Sequence, residues 1–214
     1  EIGQADNTAV ALHLTAPDVG FGLNDTDVSD WVVNPSDGNA DSGFGSTYLY
    51  LGDDKATKIS WFSPSLSGFR IAASYIPEFE RDSGTQPNGD AVYRDAISVG
   101  LRYERQFGNA WGMALSAGFL GANSPSGVTG GASAEGYSLG VNVTVDAFTF
   151  GASYASTDGN PSGGTETGQS LDGSGFDVGV SYTFGPTAIS LSYYKGEVED
   201  EVDTAGDSTN DSVM

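Results

Sequence analysis

The stretch D95-AISVGLRYERQFGNAWGMALSAGF-L120 decides the fold class. Ile97, Val99, Leu101 and Tyr103 alternate with Ser98, Gly100, Arg102 and Glu104. A short polar turn through Gln106, Gly108 and Asn109 follows, and Trp111, Met113, Leu115, Ala117 and Phe119 then alternate with Gly112, Ala114, Ser116 and Gly118. A period of two marks strands with one apolar face. Each half runs to about nine to eleven residues, the length with which a tilted strand crosses a bilayer, whereas soluble strands mostly stop at about five or six.

The same unit recurs along the chain. Thr57–Phe62 and Phe69–Ile76 flank the turn SPSLSG. Glu135–Val145 and Phe148–Tyr154 flank Asp146-Ala147, and Gly175–Phe184 and Thr187–Lys195 flank Gly185-Pro186. With the opening hairpin these make eight strands in four hairpins, and Asp211–Met214 reads as the start of another. Short turns alternate with long polar loops, which is the outline of an antiparallel transmembrane β-barrel built as a meander. A soluble β-sandwich also alternates. Against it stand the length of the strands, the small polar face of Gly, Ala, Ser, Thr and Asn, and aromatics gathered at strand ends. Trp61, Phe69, Tyr103, Trp111, Phe148 and Tyr182 fall near the short turns. Tyr75, Phe119, Tyr137, Tyr154 and Tyr193 fall near the long loops. Two such rows suit lipid-facing girdles at two membrane interfaces.

Composition narrows the function classes. Among 214 residues are 29 acidic and 8 basic side chains, a formal charge of −21, which speaks against nucleic acid as a partner and for cations. No run of 18 apolar residues offers a transmembrane helix. With no cysteine and a single histidine, His13, thiolate and histidine-pair metal sites are excluded. His13 has no nucleophile-elbow context, so an enzyme is not expected.

Residues 1–56 stand apart from the barrel strands of 57–214. They hold ten acidic residues against one base, Lys55, in an irregular stretch whose VALHLT segment reads equally as helix or strand. A loop this long is usually functional or disordered. We expect it to fold into the barrel as a constriction, with Asp18, Asp25, Asp27, Asp30, Asp37 and Asp41 as candidates and the wall cations Lys58, Arg70 and Arg102 opposite. The plain alternative is that each aspartate sits in a solvated turn. Asp25, Asp27 and Asp30 also have the spacing that opens a Ca²⁺ loop, but Asp30 and Ser36 stand where an EF-hand needs Gly and Glu, which leaves only a casual Ca²⁺ site. Glu197–Asp203 is a second acidic loop, able to hold divalent ions with lipopolysaccharide or simply solvated.

KISWFSPSLSGFRIAASYIPE, residues 58–78, resembles the strand-turn-strand of Gram-negative general porins, with its aromatic-x-SP-x-x-x-G-aromatic turn and a strand ending in SY-x-P. EIGQADNTA, residues 1–9, is similar to the strand end that leads into the inward-folded loop of that family. The resemblance implies a 16-stranded homotrimeric porin of the bacterial outer membrane, of which this chain would be an internal portion. It implies lipid and lipopolysaccharide as surroundings and passive diffusion of ions and small hydrophilic solutes. The acidic excess adds an expected cation preference. A substrate-selective channel, for a sugar or similar solute, and a soluble β-sandwich adhesin are the other readings.

Overall fold

The computed structural model describes residues 2–19, 46–49, 56–78, 93–108, 111–123, 133–158, 173–198 and 208–213. The strands are β1 (Ile2–Gln4), β2 (Thr57–Phe62), β3 (Phe69–Glu78), β4 (Arg94–Phe107), β5 (Trp111–Asn123), β6 (Ala134–Val145), β7 (Phe148–Asp158), β8 (Gly173–Phe184), β9 (Thr187–Val198) and β10 (Ser208–Val213). Each pairs antiparallel with its neighbour in sequence, giving among the described residues one ten-stranded meander with β1 and β10 at its edges. One helical turn, α1 (Thr8–Ala11), resolves the ambiguity of VALHLT: Asn7 caps it, its side chain accepting from Val10 N. The final strand starts at Ser208, three residues earlier than the sequence pattern suggested, and pairs with Val198.

Turn chemistry sets the register. Leu66 and Phe69 exchange backbone hydrogen bonds of 2.8 and 3.0 Å around Ser67 and Gly68, both at positive φ as a type I′ hairpin requires. At Asp146-Ala147 and Gly185-Pro186 the first central residue has positive φ (51° and 56°), closing Val145 onto Phe148 and Phe184 onto Thr187. Pro77 has no N–H to give the ladder. The pairing skips it between Ile76↔Ala96 and Glu78↔Arg94, and Asp95 opposite adopts a φ of 50°.

The two faces of the sheet have opposite environments. Side chains of the apolar phase are exposed: Trp61 at 58%, Leu139 at 59% and Leu191 at 59%, with Ile97, Leu101, Phe150 and Val178 among them. Side chains of the small polar phase are buried, including Ser60, Ser74, Ser98, Ser116, Ser138, Ser153, Ser181 and Ser192. A water-soluble sheet does the reverse. An unbroken exposed apolar face of this extent needs an apolar solvent or a partner.

The buried face also holds a hydrophobic core that its small polar composition hides. Ile76, Ala96, Leu120, Ala122, Ala134 and Ala155 pack around Ala9 and Leu49, two residues of the N-terminal portion. Tyr194, on the same side, is fully buried. The expectation of a uniformly small inner wall is therefore corrected. Ile76 and Leu120 interrupt it because Ala9 and Leu49 give them something to pack against, and Tyr194 is a third bulky residue on that face.

Candidate functional site

Residues 7–19 cross the polar face strand by strand, and the wall receives their backbone on side-chain oxygens. Thr8 N donates to Ser74 Oγ on β3 (3.1 Å) and Ala9 N to Ser98 Oγ on β4 (2.8 Å). Leu14 N donates to Ser116 Oγ on β5 (3.0 Å), Ala16 N to Asp177 Oδ1 on β8 (3.0 Å), and Val19 N to Ser190 Oγ on β9 (3.0 Å). Asn7 fastens the start: its Oδ1 accepts from Ser98 Oγ (2.9 Å) and its Nδ2 donates to Leu49 O (2.9 Å). An irregular segment cannot satisfy its own backbone, and here the wall's hydroxyls and one carboxyl do so.

Glycines supply the space for this approach. A Cβ at Gly100 would stand 2.1 Å from Thr8 O, and one at Gly140 2.1 Å from Leu14 O. Either is a hard clash with backbone, so only glycine lets the chain lie this close. Ser98, Gly100, Ser116 and Gly118 form the track on which the segment lies, because each hydroxyl has a donor, and each gap an occupant, from residues 8–14.

A polar cluster joins the segment to the far side of the wall. His13 Nε2 lies 3.1 Å from Thr47 Oγ1, which contacts Ser153 Oγ on β7 (2.5 Å) and Asp177 Oδ2 (3.3 Å). His13 is buried, with the ring of Tyr48 edge-on at 5.3 Å. Its Nδ1 has no hydrogen-bond partner among the described residues. Burial pushes its pKa down to about 4. Asp177, 1% exposed, is a site residue that sequence reasoning missed. The available signal was that it is the one ionisable residue in the polar phase of β8, between Gly175 and Gly179.

The sequence candidates separate. Lys58 is not an open wall cation: it is 1% exposed and its Nζ donates to Ala5 O (2.5 Å), beneath the start of the segment. Arg70 and Arg102 are register partners on the polar face towards the short turns, clear of the segment's hydrogen-bonded track. Arg102 is bridged to Glu104 at 2.5 Å. Asp18 lies half-buried on the segment, between Pro17 and Val19. Asp25, Asp27, Asp30, Asp37 and Asp41 lie outside the described residues, so their expected roles at the constriction or in holding Ca²⁺ have no geometry here. Among the described residues no three potential ligands gather to hold a metal ion.

The aromatic residues expected in the girdles all belong to the apolar phase. Trp61, Phe69, Tyr75, Trp111, Tyr137, Phe148 and Tyr154 are exposed, and Tyr103, Phe119, Tyr182 and Tyr193 are partly so. Several meet across strands at centroid distances of 4.4 Å (Phe69–Tyr103), 4.6 Å (Phe148–Tyr182) and 5.3 Å (Phe119–Tyr137). Such pairs stabilise neighbouring strands by about 0.5–1.5 kcal/mol beyond their burial.

A long-stranded antiparallel meander, apolar and exposed on one face and carrying an inward segment on the other, defines the wall of an outer-membrane channel. The family comparison agrees: a model of the Gram-negative porins matches residues 1–214, and the chain belongs to that family. No curated protein matches it. The chain is thus a porin of the outer membrane, with its apolar face towards lipid.

Proposed function

We propose that this porin is a general diffusion channel with a preference for cations, in which residues 5–56 form the constriction. The observation that carries the reading is the series of backbone hydrogen bonds from Thr8, Ala9, Leu14, Ala16 and Val19 to five strands of the wall. A segment held that way occupies cross-section that would otherwise be water. The chain that continues from Asp18 brings Asp25, Asp27, Asp30, Asp37 and Asp41, with no base before Lys55. On the wall, Lys58 is sequestered and Arg102 is paired with Glu104, so two of the three candidate wall cations are muted and Arg70 remains. Fixed carboxylates in a narrow aqueous path raise the local cation concentration.

Open backbone edges are not tolerated in lipid. Among the described residues the outer sides of β1 and β10 have no strand partner, which supports a larger closed barrel, in keeping with the 16 strands and homotrimer that the resemblance implies. The test of selectivity is the zero-current potential of single channels in a KCl gradient. Cation preference is the expected sign, and clear anion preference would contradict the reading.

A second reading, a solute-selective channel, has one observation in its favour. A recess of about 330 Å³ opens beside Glu104, Gln106, Asn142 and Thr144, which supplies carboxylate, amide and hydroxyl groups suited to a polyhydroxylated solute. Saturable block of ion current by one sugar, and not by others of equal size, would favour it over general diffusion.

A further inference from the structure

The contact between His13 and Thr47 does more than fill space. Thr47 Oγ1 has one proton and three polar neighbours: His13 Nε2, Ser153 Oγ and Asp177 Oδ2. With the Thr47 proton directed to Asp177 or Ser153, His13 must donate from Nε2, and its Nδ1 is then a bare lone pair. Protonation would place a hydrogen on Nδ1, which has no acceptor among the described residues. It would also place a full charge in a buried site, and the Asp177 carboxyl stands one hydroxyl away rather than in direct contact. Both costs vanish if the segment leaves the wall and His13 reaches water.

We propose that His13 is an acid-sensitive latch: neutral, it locks the inward segment onto β7 and β8 through Thr47, and protonated, it releases the segment. The groups facing this latch from the surrounding elements are few. Residues 46–49 contribute Thr47 and the ring of Tyr48, β7 contributes Ser153, and β8 contributes Asp177. β9 contributes Tyr194, fully buried and opposite Asp177 in the ladder. The segment's own Asp6 is exposed and Asp18 half-buried, and Lys58 is engaged with Ala5 O at the segment's start. Asp177 is thus the one described carboxyl tied to the cluster, and through Ala16 N it holds the same segment that His13 holds.

The sign follows from proton counting. An imidazole in water titrates near 6.5, whereas docked His13 takes its proton only near pH 4. The undocked state therefore binds more protons between those values, and acid favours undocking. Between pH 7.5 and 4.5 this linkage weakens docking by about fifty- to a hundred-fold.

The inference rests on the reading of the segment as a constriction only for its effect on current. Amide hydrogen exchange on the full chain in detergent tests the latch itself, with the amides of Leu14 and Ala16 compared with those of Val99 and Leu115 in the same sample. Relative protection at 14 and 16 should fall by tens-fold on going from pH 7.5 to 4.5 in the wild type and stay level in His13→Gln. Unchanged relative protection in the wild type, or an equal fall in His13→Gln, would overturn the latch. The wild-type titration stands as a test even if the variant does not fold. Conductance over the same pH range separates the two ideas: lost protection with unchanged current upholds the latch and contradicts the constriction.

Discussion

Ala16 N donates to Asp177 Oδ1 at 3.0 Å, joining residues 161 apart in sequence. This bond ties the inward segment to β8, five strands beyond the strand that receives Thr8. Asp177 is also within reach of Thr47, so one buried carboxyl secures two separate pieces of residues 1–56. Asp177→Ala should leave Ala16 N without its partner and destabilise docking by about 1–3 kcal/mol. Asp177→Asn, which keeps an oxygen for Ala16 N, should lose less. Urea unfolding in detergent, with a reporter on the segment, would rank the two variants.

Gly140→Val should push the segment off β6. Its Cβ would lie 2.1 Å from Leu14 O and 2.7 Å from Ser116 Oγ, and neither neighbour can yield without breaking the Leu14–Ser116 bond. Overpacking of this kind costs about 1–3 kcal/mol. In single channels the expected result is a larger or noisier conductance, and an unchanged current would show that the segment does not narrow the path.

The wall charges make a separate prediction. Glu104 holds Arg102 at 2.5 Å, and Arg70 stands directly opposite in the ladder. Glu104→Gln should unmask the arginine charge and move the zero-current potential towards anions. Arg70→Gln should move it the other way.

Orientation in the membrane can be tested one position apart. Leu115→Arg places a charge on the lipid face and should cost about 2–4 kcal/mol near the bilayer centre. Ser116→Ala, on the other face, should lower protection of the Leu14 amide, whose acceptor it removes, and leave membrane insertion intact. Insertion yield and heat resistance distinguish the two.

The strands were legible because their information is local. Val99 and Ser98 report opposite faces by parity alone, and Ser67-Gly68 and Asp146-Ala147 announce their turns. What occupies the polar face was not legible from the same pattern. Ser98 reads as a water-lining residue until Asn7, Thr8 and Ala9 are seen to bond to it across some 90 residues of sequence. Lys58 reads as an exposed wall charge until Ala5 covers it. Ile76 and Leu120 sit in the polar phase because Ala9 and Leu49 come to meet them, and periodicity within a strand holds no record of such distant partners.

The most direct measurement of the central claim, an inward segment seated on the small-residue wall, is a cross-link. The chain has no cysteine, so Ala16→Cys with Gly179→Cys gives a clean pair, and the Ala16 Cβ lies 3.2 Å from where a Cβ at Gly179 would stand. Disulfides need Cβ atoms about 3.5–4.5 Å apart, a few tenths of an ångström from this geometry. Mild oxidation of the double variant in membranes should give a cross-linked chain, seen as a mobility shift reversed by reductant. Failure to cross-link there, while Val141→Cys with Ala152→Cys on paired strands does so, would contradict the docked segment.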